Sequence, residues 1–216
     1  MSITLSIIIL TCLVSFTALQ SQDQFYKLSM SPYQVKHQRQ YYRMITSGLI
    51  HADFMHLGFN MLSLYFFSSV EDIYVMRFGS KYYFLLMYVA ALLVSSVPSL
   101  LKHRDNPSYQ SVGASGAVSA VIFSGILFFP WSGISFFFID IIRFPAVIFG
   151  AVYIWVSVYL DGKGGGRIAH DAHYWGAVFG LLFPVLLEPV IGMEFINAIR
   201  YDFPGIDKYI GSRRRY

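Results

Sequence analysis

Charged residues are scarce in this chain, and cysteine is almost absent. Only 13% of the 216 residues are Asp, Glu, Lys or Arg, whereas 56% are hydrophobic, and the mean hydropathy is +0.53. This composition excludes a water-soluble globule, because too few polar side chains remain to cover its surface, and it predicts a membrane protein. The single cysteine, Cys12, excludes an intramolecular disulfide.

Basic residues form only one cluster, the C-terminal triplet Arg213-Arg214-Arg215. The net charge is +4, but scattered basic side chains do not make a nucleic-acid surface, so contact with anionic lipid head groups is predicted instead. A basic triplet after the last apolar run predicts a cytoplasmic C-terminus. With the triplet included, Lys and Arg are shared equally between the two predicted sides, so charge bias alone does not fix the orientation.

Six apolar runs approach the ~20 residues that a helix needs to cross the hydrocarbon of a bilayer. They predict one all-α, polytopic membrane domain over residues 1–216, with residues 192–216 as a cytoplasmic basic tail. An even number of spans places both termini on the same side. The predicted spans cover residues 3–19, 54–70, 82–101, 115–129, 145–160 and 172–191.

The first run is predicted to be a retained helix. A cleaved signal peptide is the alternative, but no Lys or Arg precedes Lys27, and no clean small-residue cleavage site follows the run. The retained helix also gives the even number of spans.

Segments between the spans have mostly structural interpretations. The long connection 20–53 carries aromatic and basic residues that are typical of head-group anchors, although long loops are often functional. Glu71 is predicted to mark the inner end of the second span, and Asp140 and Arg143 to pair in an interfacial helix. The glycine-rich loop 162–166 is either a mobile lid or a plain linker.

Ser115 begins the fourth apolar run among small residues, in the sequence Gly113-Ala114-Ser115-Gly116. Such surroundings let a substrate backbone approach the hydroxyl closely. Small residues also let helices pack tightly, which is the structural alternative. A partner residue is needed to decide between them.

His173 shares a helical stripe with Gly176 and Gly180, at spacings of three and four. The two glycines allow another helix to come close, and a histidine inside a membrane is a functional candidate by default. If the neighbour is the Ser115 helix, His173 is a general base that takes the serine proton and later protonates the leaving amine. Asp171 points away from this stripe and is predicted to be a solvated residue at the helix start, so a Ser-His dyad is favoured.

Donors for a developing oxyanion are predicted in the second span. His56 and Asn60 lie four residues apart on one helical face, and the backbone N–H of Ser115 is among the first amides of its helix. A structural hydrogen bond between helices is the alternative for Asn60. His51, His56, His170 and His173 do not form a recognised metal-binding pattern, so no metal is predicted.

Three motifs together resemble the rhomboid family of intramembrane serine proteases: Gly113-Ala114-Ser115-Gly116, His51-x4-His56-x3-Asn60, and Ala172-His173-x2-Gly176-x3-Gly180. The resemblance covers the second to sixth spans in the right order. It implies a six-helix bundle with a short central helix that begins at the nucleophile. Tyr42-Arg43 is similar to the family's Trp-Arg pair, which braces the long first loop.

By this resemblance Ser115 is the nucleophile, His173 the general base, and His56 with Asn60 the oxyanion donors. Gly113, Gly116, Gly176, Gly180 and Arg43 are supporting residues. The family needs no cofactor and implies a water-containing cavity on the outer side. One departure is that rhomboids often carry a Tyr four residues after the nucleophile, packed on the base, where this chain has Ser119; Tyr174 or another aromatic is a candidate substitute.

The implied substrates are single-pass transmembrane proteins with a helix-weakening region and a small residue at the cleaved bond. The implied location is a bacterial inner membrane, with the site open to the extracytoplasmic side and both termini cytoplasmic. The alternative function is a transporter, or a non-catalytic rhomboid-like protein that binds membrane helices.

Overall fold

The computed structural model describes residues 2–136, 139–161, 170–205 and 208–209. These residues form an all-α polytopic bundle with one short 3-10 turn, Ser47–Leu49, and one two-stranded sheet, as the composition predicts in all but the sheet. The predicted glycine-rich loop 162–166 and the triplet Arg213-Arg214-Arg215 lie outside the described residues. The elements are α1 (Ile3–Gln20), α2 (Gln22–Leu28), α3 (Pro32–Gln38), α4 (Arg43–Thr46), α5 (Phe54–Phe66), α6 (Ser69–Phe78), α7 (Tyr82–His103), α8 (Ser115–Phe128), β1 (Gly133–Phe136), β2 (Ile139–Pro145), α9 (Ala146–Asp161), α10 (His170–Leu187) and α11 (Val190–Tyr201).

Two helices of the described chain, α1 and α7, are each long and apolar enough to cross a membrane. Helices α10 and α11 would together make a third span, but they are bent by 118° at the break between them. Helix α8 and the segment Ala146–Tyr159 are apolar and shorter. The presence of membrane spans is therefore clear, while the number six stays a prediction.

The second predicted span is divided into α5 and α6, which are separated by Phe67 and Ser68. Glu71 lies in the first turn of α6, just beyond residue 70, and its assignment to the inner end of the second span stays a prediction. Its buried carboxylate accepts hydrogen bonds from the Ser2 hydroxyl at 2.6 Å and from the Ile3 and Thr4 amides at 2.8 Å each. Glu71 thus caps α1, whose first amides have no acceptor within their own helix.

The C-terminal region is also more structured than a plain tail. Pro189 is the N-cap of α11 and stands at the break after α10. Arg77 of α6 donates to Glu188, within this break, at 2.9 Å and to Glu194, in α11, at 2.8 Å. The predicted tail 192–216 therefore begins with a helix that is tied to the bundle.

Strands β1 and β2 form an antiparallel hairpin in which Ser135 lies opposite Arg143. The predicted interfacial helix with Asp140 and Arg143 is wrong, because both residues lie in β2. Isoleucine and phenylalanine dominate this segment, and β-branched and aromatic residues favour strands. The Arg143 amide donates to the Tyr209 carbonyl at 3.0 Å, which joins the hairpin to the C-terminal region.

Helix α8 is the centre of the bundle. Its residues from Gly116 to Leu127 are buried with the exception of Gly125, which is half-buried. A helix that is apolar on all sides is suited to burial among other helices on all sides. Near the C-terminal end of α8, the Ser124 hydroxyl lies 3.0 Å from the Tyr74 hydroxyl of α6.

Helices α8 and α10 touch backbone to backbone. A Cβ atom added to Gly176 would lie 2.0 Å from the Gly116 carbonyl oxygen, and one added to Gly180 would lie 2.2 Å from the Ala120 carbonyl oxygen. The second contact lies four residues further along each helix than the first, so the two helices run parallel. Ser115 and His173 therefore lie at the same end of the bundle, hereafter the upper end.

Candidate active site

The segment that leads into α8 is held by loop 1, which comprises residues 21–53 and includes α2 to α4. The backbones of Met30 and Ser111 exchange hydrogen bonds of 3.0 and 3.1 Å, and the Gly113 amide donates to the Ser47 carbonyl at 2.9 Å. The amide of Ala114 donates to His51 Nε2 at 3.3 Å. The position of Ser115 is thus set by backbone bonds that reach across more than sixty residues of sequence.

Arg43 holds loop 1 together, as its resemblance to the family's brace predicts. Its side chain is buried, and its Nη1 atom donates to the carbonyls of Tyr26 at 2.6 Å and Ser29 at 2.7 Å. Its Nε atom donates to the Gln40 side chain at 2.7 Å. A buried guanidinium needs such acceptors, because an unpaired buried charge is very costly.

His51 is fully buried and links three parts of the chain. Ser15 of α1 donates to the Leu49 carbonyl, so the contact of 2.9 Å between Ser15 Oγ and His51 Nδ1 is donated by the histidine. Nε2 then has no hydrogen and accepts from Ala114. Burial, helped by neighbouring His56, lowers the pKa of His51 to about 3, so the ring stays neutral at physiological pH.

His56 lies against the turn before Ser115. Gly113 has φ +119°, and a Cβ atom there would lie 2.6 Å from His56 Cε1 and 2.9 Å from Nε2. Only glycine fits this position, because the conformation is left-handed and the imidazole fills the space. His56 Nδ1 accepts from the Ala52 amide at 3.4 Å, which leaves the hydrogen on Nε2, the atom that faces Gly113.

Asn60 is buried one turn below His56. Its Nδ2 atom donates to the His56 carbonyl at 2.9 Å. A carboxamide nitrogen carries two hydrogens, so the helix uses one and the other remains on the same group. The structure therefore places two N–H donors on one face of α5, as the four-residue spacing predicts.

His173 lies beside an aromatic ring from α9. The rings of His173 and Tyr153 have centroids 6.1 Å apart and planes inclined by 26°. The Tyr153 hydroxyl lies 2.7 Å from Ser119 Oγ, and Ser119 Oγ donates to the Ser115 carbonyl at 2.7 Å. Ser115 and Ser119, four residues apart, share the face of α8 that meets this ring.

The sequence predicts that Asp171 is a solvated residue. In the structure it instead ties α10 to α7. Its two carboxylate oxygens accept from the Ser99 hydroxyl at 3.0 and 3.2 Å, and one also accepts from the Ala172 amide at 2.8 Å. These bonds hold the first turn of α10 against α7. Asp171 therefore helps to position the helix that carries His173.

A pocket with about 430 Å³ of empty space, including its open mouth, lies beside Ser115. Its walls come from α7, loop 1 and the segment before α8. Hydroxyl groups line much of it, so it suits water and polar backbone better than a large apolar group. The pocket is lined by, among others, Ser95, Ser96, Ser99, Ser111, Gly113 and Ser115.

Gly116 permits close contact between α8 and the pocket wall formed by α7. A Cβ atom there would lie 2.2 Å from Ser95 Oγ and 3.2 Å from the Ala172 carbonyl. Gly116 thus touches α7 and α10 together, directly after Ser115. All four glycines predicted as supporting residues stand at such close contacts.

Within the described part of the chain, no three His, Cys, Asp or Glu residues lie close enough to hold a metal ion. The side chain of His170, one of the four histidines considered in the sequence, is outside the described atoms.

The fold and the site together define an integral membrane protein with a polar, serine-lined cavity inside a helical bundle. Residues 38–189 match the model of the Rhomboid domain, which is more than half of the chain. The chain therefore belongs to the rhomboid family, as its motifs indicate.

Two relatives show the same kinship. The chain is 31% identical over 150 residues to "RHOMBOID-like protein 12, mitochondrial" of Arabidopsis thaliana, covering 62% of this chain and 43% of the plant protein. It is 33% identical over 79 residues to "Putative rhomboid protease YdcA" of Bacillus subtilis (strain 168), covering 37% of each protein. The chain thus matches less than half the length of either relative.

Sequence reasoning missed two residues of this site. Tyr153 was one of many aromatics in an apolar run, and only the absence of a tyrosine at position 119 pointed to a substitute elsewhere. Ser99 lies in α7 with no motif around it, and its bond to Asp171 joins residues 72 positions apart.

Proposed function

We propose that this chain is a serine endopeptidase that cleaves peptide bonds in or near transmembrane segments through a Ser115-His173 dyad. The observation that carries the proposal is the parallel contact of Gly116 with Gly176, which brings the serine and histidine ends of two helices together. Membership of the rhomboid family supports it.

The reaction begins when His173 removes the proton of the Ser115 hydroxyl as Oγ attacks the carbonyl carbon of the scissile bond. The tetrahedral intermediate collapses, His173 passes its proton to the leaving amine, and an acyl-enzyme remains on Ser115. Water, activated by the same histidine, then hydrolyses this ester and restores the serine. The hydroxyl-lined pocket supplies a hydrated space for this step.

The negative charge of the intermediate is stabilised by three donors. These are the Nε2 hydrogen of His56, the second amide hydrogen of Asn60, and the Ser115 backbone N–H at the start of α8. Loss of one such donor typically costs about 10²- to 10³-fold in kcat. His56 and Asn60 act here without any metal or cofactor.

The substrate is a single transmembrane segment that unwinds at the cleavage site. A regular helix hides its carbonyls in internal hydrogen bonds, so unwinding is needed before attack. The family resemblance implies a small residue at the cleaved bond, and Gly113, Gly116 and Ala172 at the pocket wall let a substrate backbone approach closely. The site opens at the face opposite the start of α1, and with cytoplasmic termini this is the outer face.

The test is cleavage of single-span substrates by purified protein in liposomes, with wild type, Ser115→Ala and His173→Ala. Cleavage by wild type and its loss in both variants are expected. Ser124→Ala is the matched control, since it removes a hydroxyl from the lower part of the same helix and is expected to retain activity. Equal cleavage by all variants, or no cleavage by wild type of a broad panel, would refute the proposal in favour of a helix-binding protein or transporter.

A further inference from the structure

We infer that Tyr153 of α9 is a positioning residue for the His173 imidazole, and that Ser119 anchors it to the nucleophile helix. The inference rests on the proposed function, because it concerns the same dyad. It assigns to α9 a part in the chemistry that none of the sequence motifs contains.

The ring of Tyr153 is itself firmly placed. Its centroid is 5.8 Å from that of Phe123 on α8 and 6.2 Å from that of Phe149, one turn lower on α9. Its own contact with His173, at 6.1 Å and 26°, is within the range of offset stacking. An imidazole against such a ring has fewer orientations open to it than one that faces only lipid or water.

The hydroxyl of Tyr153 provides the second constraint. Ser119 has one hydroxyl hydrogen, which it donates to the Ser115 carbonyl, so the tyrosine must donate its own to Ser119 Oγ. The chain of bonds therefore runs from Tyr153 through Ser119 to the backbone of Ser115. One side chain thus contacts the base with its ring and reaches the nucleophile residue with its hydroxyl.

Other groups near His173 are engaged elsewhere. Tyr174 is adjacent in sequence, but adjacent residues on a helix point in different directions, and its ring lies edge-on to Trp175 at 5.4 Å. Asp171 is bound to Ser99 on α7. Among these candidates, Tyr153 is the one whose ring meets the imidazole.

The experiment compares Tyr153→Leu and Tyr153→Phe with wild type in liposomes. Two quantities are measured: kcat and KM for a single-span substrate, and the rate at which a fluorophosphonate probe labels Ser115. Leucine fills space without a ring, so kcat and labelling are expected to fall about 2- to 12-fold, the equivalent of 0.5–1.5 kcal/mol for an aromatic pair, with KM unchanged. Tyr153→Phe keeps the ring, so its kcat and labelling rate are expected to stay close to those of wild type.

Trp155→Leu is the matched control. It removes a ring from the same helix at a side chain that is 68% exposed, and it is expected to leave both rates unchanged. Tyr153→Leu with wild-type kcat and labelling, or with a raised KM alone, would overturn the inference, as would an equal loss in Trp155→Leu.

The role of Ser119 is tested by a double-mutant cycle. Ser119→Ala and Tyr153→Phe remove the same hydrogen bond, so the double variant is expected to be no slower than the slower single variant. Additive losses would refute the anchor. If wild-type protein is not labelled at Ser115 and cleaves nothing, the proposed function fails; if wild type reacts and Tyr153→Leu reacts equally, only the positioning role fails.

Discussion

The side of α8 that meets loop 1 and α10 is held through backbone atoms, whereas the side that meets α9 is held through side chains. Gly116 and Gly176 touch without any intervening side chain, and Gly113 is bonded to the Ser47 carbonyl. On the other side, Gly150 of α9 meets the tips of Ile126 and Phe123. Backbone contacts have no adjustable atoms, so the first side fixes distances, while the second allows small movements.

The largest effect is expected from Gly176→Ala, which tests the rigid side. The new methyl group would lie 2.0 Å from a backbone oxygen, so α10 must move away from α8. Overpacking of this kind costs about 1–3 kcal/mol or more, and a shift of about 1 Å at reacting groups can cost 10²-fold in rate. Substrate cleavage and thermal unfolding in detergent measure the two effects; wild-type activity in this variant would contradict the contact.

Gly113→Ala is expected to have the next largest effect. Alanine is strained at φ +119° and would displace His56, whose ring atoms lie within 3 Å of the added carbon. The backbone strain is expected to cost about 1–3 kcal/mol of stability. Displacement of the His56 donor is expected to lower kcat/KM by about 5- to 100-fold, measured by substrate cleavage. Gly58→Ala on α5 is the control, because an added Cβ meets nothing within 4 Å there and no loss is expected.

A pH series with His51→Asn tests the loop 1 contact to Ala114. The folded state holds the pKa of His51 at about 3, below the ordinary value of 6.5, so acidification favours unfolding as the pH falls from about 6.5 towards 3. Between pH 7.5 and 5.5 wild type is expected to lose about 1 kcal/mol more stability than the variant. Parallel curves of melting temperature against pH would contradict a neutral, buried His51.

Gly150→Ala is expected to have the smallest effect on cleavage, and it is the counterpart of Gly176→Ala. The added carbon would lie 2.9 Å from Ile126 Cδ1 and 3.2 Å from Phe123 Cε1, both at the ends of side chains that can turn aside. We expect a stability change below about 1.5 kcal/mol and a cleavage rate within about twofold of wild type. Equal damage by the two alanines would remove the distinction between the two sides of α8.

Short-range spacing predicted the rigid side well. The stripe of His173, Gly176 and Gly180 follows from helix geometry alone, and it correctly identified the face that another helix approaches. The left-handed turn at Gly113 agrees with the expectation of a close approach to the serine. Periodicity is sufficient for the stripe because glycines at helical spacing lie on one face and let the backbone of another helix approach closely.

Residue spacing along the sequence could not predict the side-chain contacts between α8, α9 and α10. Tyr153 lies 20 residues from His173 in sequence and 34 from Ser119, and nothing local separates it from Tyr159 on the same helix. The β hairpin was missed because Asp140 and Arg143 fit a helical spacing, although the strand pairing involves residues on both sides of that pattern. Contacts with residues distant in sequence determine both the position of Tyr153 and the formation of the hairpin.

The cap that Glu71 provides for α1 has a consequence for biosynthesis. The amides of Ile3 and Thr4 emerge from the ribosome long before the carboxylate that accepts their hydrogens, since 67 residues separate Thr4 from Glu71. Until α6 arrives, the first helix must satisfy these groups with water or lipid head groups at the bilayer surface. The cap on α1 is therefore completed only after Glu71 of α6 has been translated.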